Sequence, residues 1–230
     1  MPATVKEFIN TNSFVAVADI QNRILNEYIA DMAKYAEPST SSKIRACYES
    51  IPAQLAKENR KFQYSVVQKG GSATIFGESI EWLRYAGIVL KCQKTTQGTM
   101  PIKVHVDLSD FKLYMSDVGM LIMQSGMAAQ AILSPLEMET PFMGAIAENY
   151  VAQAFSANLI PLLYWKTTIL PRWILCSKRN KISSFICGFL CPVTVGKVVS
   201  GQIFVIYSKN VRRAIVKISE EPVRKLRGFF

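Results

Sequence analysis

The spacing of apolar residues predicts two helices at the start of the chain. The first covers Pro2–Asn10, and the second is capped by Asn12 or Ser13 and has an apolar side built from Val, Ile, Leu and Tyr. The polar stretch 37–42, EPSTSS, has the composition of a loop. Residues 1–36 are therefore expected to form a helical segment that a loop separates from the rest.

In residues 40–117 the spacing of apolar residues alternates between that of a helix and that of a strand. The first expected element is a helix at Lys43–Glu58, kinked by Pro52, and a strand follows at 61–67. A second helix is expected at Ile75–Tyr85, with Phe76, Ile80 and Leu83 facing inward. The last element is a β-hairpin whose strands are Ile88–Gln93 and Pro101–Val106. This order is typical of a winged-helix module. The second helix would be the recognition helix and the 94–99 loop the wing.

Three acidic residues and an apolar segment follow the hairpin. Asp107, Asp110 and Asp117 fall in a stretch expected to be loop and turn, where capping is their ordinary role. Val118–Met127 predicts a helix, and Ala128–Pro141 an irregular connection.

An amphipathic helix and then a short apolar strand are predicted within Gly144–Lys166. The apolar face of the helix holds Ile146, Tyr150, Val151, Ala154 and Phe155. The opposite face holds Glu148, Asn149 and Gln153, so Glu148 is expected to be a solvated helix residue. With Leu162–Trp165 as the strand, residues 118–230 form the third part of a mixed α/β fold.

Charge is distributed unevenly along the chain. Residues 166–230 hold 13 Lys/Arg and two Asp/Glu, whereas residues 1–165 hold 14 Lys/Arg and 15 Asp/Glu. No acidic residue occurs between Glu148 and Glu220. The net charge of +10 thus belongs to the C-terminal third, where it comes mainly from missing acids.

The cysteines and the N-terminus favour a cytoplasmic protein. Five scattered cysteines make no disulfide framework, and the first residues have no apolar signal core. Ile182–Tyr207 has the length of a membrane span, but Lys197, Pro192 and several glycines make a membrane role the less favoured alternative.

Common catalytic motifs are missing from the sequence. The nearest approach to a P-loop, Val195–Val198, lacks the Ser or Thr after its Lys, so no ATP site of the Walker type is expected in this chain. The single histidine, His105, has no nucleophile motif beside it and is expected to be structural.

A nucleic-acid surface is the functional interpretation of the winged-helix pattern. The candidate contacts are basic and hydroxyl side chains on and before the second helix: Lys57, Arg60, Lys61, Lys69, Thr74 and Arg84. Glu78 and Glu81 on the same helix would repel phosphate, so binding of a partner protein is the alternative.

Several runs resemble one known family, the prokaryotic AAA-type ATPases that end in a restriction-endonuclease-like domain of unknown function. The matching runs are MPATVKEFINTNSF at the start, SIPAQLAKENRKF at 50–62, EWLRYAG at 81–87, DFKLYMSDVG at 110–119, GAIAENYV at 144–151 and YWK at 164–166. The resemblance implies a helical remnant of the ATPase lid, a winged helix and a nuclease-like domain. For the full-length family it also implies ATP and Mg²⁺.

The resemblance stops at about residue 167. Where the family has a strand of the type A-E-V-D-F-V-L, Pro171–Ser177 reads PRWILCS, which matches codons for that strand displaced by one base. We hypothesise a frameshift near Lys166. The resemblance then carries over only Glu148, as a vestigial acid of a nuclease-like site whose partners are missing.

The sequence thus predicts a non-catalytic fragment of an AAA-type protein that binds nucleic acid or a partner protein and holds no cofactor or metal. A metal-dependent nuclease-like enzyme is the alternative. A Mg²⁺ site in that enzyme would need further carboxylates beside Glu148.

Overall fold

The computed structural model describes residues 1–34, 37–57, 59–97, 101–127 and 141–165, together with the backbone of four later strands. The fold is mixed α/β, as predicted. Two compact units make up the chain: Met1–Cys92 with Asp110–Ala154, and Gln93–Ser109 with Phe155–Phe230.

Helices dominate the first part of the chain and strands the last. The helices are α1 Pro2–Thr11, α2 Phe14–Lys34, α3 Pro38–Glu49, α4 Ile51–Ala56, α5 Tyr64–Val67, α6 Ala73–Tyr85, α7 Val118–Gln124 and α8 Pro141–Ala157, with a 3-10 helix at Ile102–His105. The strands are β1 Val89–Thr95, β2 Val106–Met115, β3 Leu163–Trp165, β4 Trp173–Arg179, β5 Ile182–Gly188, β6 Val205–Ile206 and β7 Ile215–Val216.

Five strands form a sheet in the order β2-β1-β3-β4-β5. Strand β1 runs parallel to β3, with Gln93 opposite Leu163, and the pairs β3–β4 and β4–β5 are antiparallel. Strands β6 and β7 form a separate antiparallel pair. The predicted strand at Leu162–Trp165 is confirmed as β3.

The two helices predicted within residues 1–36 are confirmed, and α1 ends one residue later than expected. Asn12 adopts a left-handed conformation (φ 48°), and its N–H bonds to Phe8 at 2.7 Å, which ends α1. Ser13 accepts the Ala16 N–H at 3.3 Å, so the predicted N-cap of α2 is confirmed. Phe8 and Phe14 pack with ring centroids 4.8 Å apart and join the two helices.

The loop expected at 37–42 was wrong. Helix α3 starts at Pro38, because a proline in the first turn of a helix removes an N–H that has no helical partner anyway. The predicted interruption near Pro52 is confirmed, since α3 ends at Glu49 and α4 starts at Ile51.

The strand predicted at 61–67 was also wrong. Phe62 makes one backbone bond, from its N–H to Phe111 O at 2.9 Å, and its ring stacks on the Phe111 ring at 5.6 Å. Tyr64–Val67 then forms the single helical turn α5. The alternation of Phe62 and Tyr64 thus comes from aromatic anchors around Phe111 rather than from a strand.

Helix α6 matches its prediction closely. Phe76, Ile80 and Leu83 are each at most 1% exposed. Gly70 (φ 78°) and Gly87 (φ 71°) make the turns on either side, in a left-handed conformation that favours glycine.

The second strand of the hairpin lies later in the sequence than predicted. Residues 102–105 form the 3-10 helix instead of a strand, and β2 covers Val106–Met115. Asp107 and Asp110 therefore lie on a strand, and the expected loop was wrong. Asp117 does cap α7, since it accepts the Gly119 N–H at 2.8 Å, and α7 confirms the predicted apolar helix.

Some predictions fall outside the described residues. They are most of the connection at 128–140, the tip of the wing at 98–100, and most of the stretch 182–207. Of that last stretch, Ile182–Gly188 is strand β5. Within the described segments, every helix is too short or too polar to cross a membrane.

Candidate functional site

Helix α8 buries the face that the sequence assigned to solvent. Glu148 is 8% exposed and Asn149 is fully buried, whereas Tyr150, expected inside, is 52% exposed. Ala145 and Ala152 are fully buried beside them, so the inner stripe is Ala145, Glu148, Asn149 and Ala152. The expectation that Glu148 is a solvated surface residue was wrong. Ile146 and Phe155 are buried as predicted.

Three donors surround the Glu148 carboxylate. The Arg60 guanidinium donates to Oε2, and the Lys112 ammonium donates to Oε1. The Tyr114 hydroxyl also donates to Oε1, at 2.5 Å. Lys112 and Tyr114 are fully buried, and the side chain of Arg60 is 7% exposed. Two cations and a hydroxyl therefore enclose one carboxylate, away from water.

The two cations keep this carboxylate ionised. Burial by itself raises the pKa of Glu148, but the charges of Lys112 and Arg60 and the hydrogen bonds from Lys112 and Tyr114 outweigh burial and lower it to about 2. Burial lowers the pKa of Lys112, although Glu148 opposes that change. Burial also raises the pKa of Tyr114 well above its usual value, so its hydroxyl keeps the proton that it donates.

Asn149 and Gln153 extend the polar contact along α8. The Asn149 side chain accepts the Met115 N–H at 2.8 Å and donates to the Met115 carbonyl at 3.0 Å. One turn further on, Gln153 accepts the Val118 N–H at 2.8 Å. Asn149 thus replaces the strand neighbour that the end of β2 would otherwise need, and Gln153 satisfies the first N–H of α7.

Arg60 reaches Glu148 from an unusual backbone conformation. Its φ is 50°, in the left-handed region that non-glycine residues seldom adopt. Its N–H bonds to the Lys57 carbonyl at 3.2 Å, which closes a tight turn after α4. Nearby, the Gln54 side chain bonds to both the N–H and the carbonyl of Gln63, at 3.0 and 2.9 Å. These bonds fix the segment that positions Arg60.

The structure separates the six predicted nucleic-acid contacts. Arg60 is buried against Glu148, Lys61 pairs with Asp110 at 3.1 Å, and Arg84 pairs with Glu81 at 2.6 Å. Lys57, Lys69 and Thr74 are exposed. Glu81 also accepts Lys91 at 2.7 Å, and the contacts of both cations lower its pKa against the effect of burial. The surface of α6 therefore carries less free negative charge than its sequence suggests.

Sequence reasoning missed Lys112, Tyr114 and Asn149 as members of the cluster. A signal was present, because Lys112 and Tyr114 are two residues apart in the DFKLYM run and so face the same side of a strand. The acidic residues at 107, 110 and 117 favour loop and turn, and this hides the strand alternation of the run. Asn149 carries no local signal, since its partner is the backbone of Met115.

The residues around Glu148 do not fit a magnesium ion. Mg²⁺ takes several oxygen ligands, usually from carboxylates and water. Here the two nearest charged groups are the cations of Arg60 and Lys112, which repel a metal from the single carboxylate. Across the described residues, no group of three or more His, Cys, Asp and Glu side chains could hold a metal. The geometry is that of an internal ion cluster.

A family model matches the first part of the chain. The model of a family described as domain of unknown function (DUF8612) matches residues 1–131. No curated protein and no solved structure matches the chain. The matched region includes Arg60, Lys112 and Tyr114, whereas Glu148 lies beyond it.

Proposed function

The chain belongs to the family described as domain of unknown function (DUF8612), and we propose that it is a non-catalytic nucleic-acid-binding module. The contacts of Glu148 carry the non-catalytic part of the proposal. A nuclease acid must reach a metal or water, but both oxygens of Glu148 are occupied by Arg60, Lys112 and Tyr114. Descent from an AAA-type ATP-binding protein and a cytoplasmic location belong to the same proposal.

Exposed basic and hydroxyl groups on α6 and in the segment before it support the choice of nucleic acid. Lys57 and Lys69 are exposed, and Thr74 is exposed in the first turn of α6, which contains no acidic residue. The N–H groups of that turn and a nearby lysine are the usual partners of phosphate. Glu81, which argued against phosphate, is neutralised by Arg84 and Lys91. Glu78 remains as an exposed negative charge on this helix.

Two substitutions of opposite sign on this surface test the proposal. Lys69→Gln removes a cation, so it should weaken binding of duplex DNA. It should also reduce the slope of the logarithm of the binding constant against the logarithm of salt concentration by about one. Glu78→Gln removes a repelling charge, so it should strengthen binding. Fluorescence anisotropy across a series of salt concentrations measures both, and Lys6→Gln on α1 serves as the matched surface control.

The affinities of the three variants decide between contact and no contact of α6 with DNA. Opposite shifts for the two α6 variants, with no shift for the control, would support contact between α6 and phosphate. Equal affinities for all three variants would overturn the proposal for this surface, even if the intact chain binds DNA through its basic C-terminal residues. Divalent-metal-dependent cleavage of the DNA that Glu148→Ala abolishes would overturn the non-catalytic assignment.

A protein partner is the second candidate, and the exposed apolar residues of α6 favour it. Ile75 is 43% exposed and Tyr85 is 80% exposed, and the guanidinium of Arg84 lies 4.4 Å from the centre of the Tyr85 ring. Ile75 and Tyr85 are ten residues apart, which places them about 80° apart around the helix, within one half of its circumference. Aromatic and arginine side chains in this arrangement are typical of protein interfaces. Sedimentation velocity tests the simplest partner, a second copy of this chain: Tyr85→Ser should remove any concentration-dependent association.

A further inference from the structure

The three residues that hold Glu148 belong to the body of the first unit rather than to α8. Lys112 and Tyr114 stand two residues apart on β2, so their side chains point to the same side of the strand. Arg60 comes from the turn that follows α4. Helix α8 supplies only the carboxylate, which Arg60 contacts at one oxygen and Lys112 and Tyr114 at the other.

We propose that Arg60, Lys112 and Tyr114 form a carboxylate-binding pocket, which α8 occupies by inserting Glu148 as an internal ligand. Charge determines the ligand class. Two buried cations and a hydroxyl donor face the space that the Glu148 carboxylate fills, and buried positive charge favours an anion there. The separate donors to each oxygen match a carboxylate, which accepts at both oxygens. An external carboxylate can enter only where Glu148 has left the pocket.

Truncation of Glu148 to alanine would leave a cavity whose size is set by the atoms that the substitution removes. Glu148→Ala keeps Cβ and removes a methylene and a carboxylate, which together have the size and charge of acetate. The cations of Arg60 and Lys112 and the hydroxyl of Tyr114, which contact the carboxylate in the wild type, all remain in the variant. Acetate should therefore bind the variant. Propionate is one carbon too long, and acetamide has the shape of acetate but lacks its charge.

Thermal unfolding of Glu148→Ala in sodium acetate, with sodium chloride at equal ionic strength as reference, tests the pocket at pH 7. A ligand present at ten times its Kd should raise the Tm by roughly 3 to 6 °C for a chain of this size. The wild-type protein should respond equally to both salts, because Glu148 fills the site. Acetamide should have no effect on the variant, and propionate should have less effect than acetate.

A second variant shows whether the effect comes from the pocket. Glu148→Ala/Lys112→Met lacks one of the two cations, so acetate should no longer raise its Tm above the value in chloride. A rise of equal size in the wild type, in the double variant or with acetamide would overturn the proposal, as would the absence of any rise in Glu148→Ala. If Glu148→Ala does not fold in chloride, refolding in acetate decides: recovery only in acetate supports the pocket, and failure in both salts overturns it.

Discussion

Arg60 and Glu148 lie 88 positions apart in the sequence and meet as a buried ion pair. Arg60 makes this contact from a left-handed backbone conformation, which costs a non-glycine residue roughly 1 to 2 kcal/mol. Glycine or asparagine is the usual residue there. The backbone conformation favours glycine at this position, so the contact of the side chain with Glu148 accounts for the arginine.

Substitution of Arg60 can separate the backbone from the side chain. Arg60→Ala and Arg60→Gly both remove the cation from Glu148 and should both destabilise the fold. The glycine variant should be the more stable of the two by about 1 kcal/mol, because glycine relieves the strain at φ 50°. Urea denaturation of the two variants measures the difference. If alanine proved the more stable, the turn would not be strained.

Glu148→Gln should be among the most destabilising conservative substitutions in the protein. It removes the negative charge that pairs with the buried cations of Arg60 and Lys112, and breaking a buried ion pair from one side typically costs about 3 to 5 kcal/mol. Glu49→Gln is the matched control, because Glu49 pairs with Arg45 on the surface, where both side chains are about half exposed. That pair should contribute less than about 1 kcal/mol. Similar losses for both variants in urea denaturation would argue against a tightly enclosed cluster.

Asn149→Leu tests the contact between α8 and the end of β2. It keeps the approximate size of the side chain but leaves the N–H and carbonyl of Met115 buried without their partner. Each buried unsatisfied group costs about 1 to 3 kcal/mol. The Met115 amide should therefore exchange with deuterium much faster than in the wild type. Asn26→Leu on the exposed side of α2 is the control and should leave that exchange unchanged.

Local patterns predicted the elements that local contacts determine. Helix α6 has inward residues at helical spacing. Ser13 caps α2 and Asp117 caps α7, and each of these helices starts at the residue after its cap. The same reasoning failed for 61–67, where Phe62 and Tyr64 alternate as in a strand but pack around Phe111. Alternation specifies a strand only when a neighbouring strand is available for pairing.

The orientation of α8 could not be predicted from its own sequence. Apolar residues marked one side, but its neighbours Arg60, Lys112 and Tyr114 stand 34 to 88 positions away and satisfy the polar side. A buried glutamate is stable only where such partners converge, and periodicity within one helix carries no information about them. Ala145 and Ala152 gave a weak hint, since small residues allow close approach of a helix.

Stability at acidic pH should depend on Glu148. In the folded protein its pKa is about 2, because Lys112 and Arg60 favour the ionised form over the effect of burial, whereas in the unfolded chain it is about 4.3. The unfolded chain thus binds a proton first as pH falls. The stabilising contribution is complete above about pH 5 and is lost as pH falls toward 2, by an amount on the order of 3 kcal/mol. Urea denaturation between pH 6 and pH 3 should show a steeper loss for the wild type than for Glu148→Gln, and parallel curves would mean that Glu148 titrates normally.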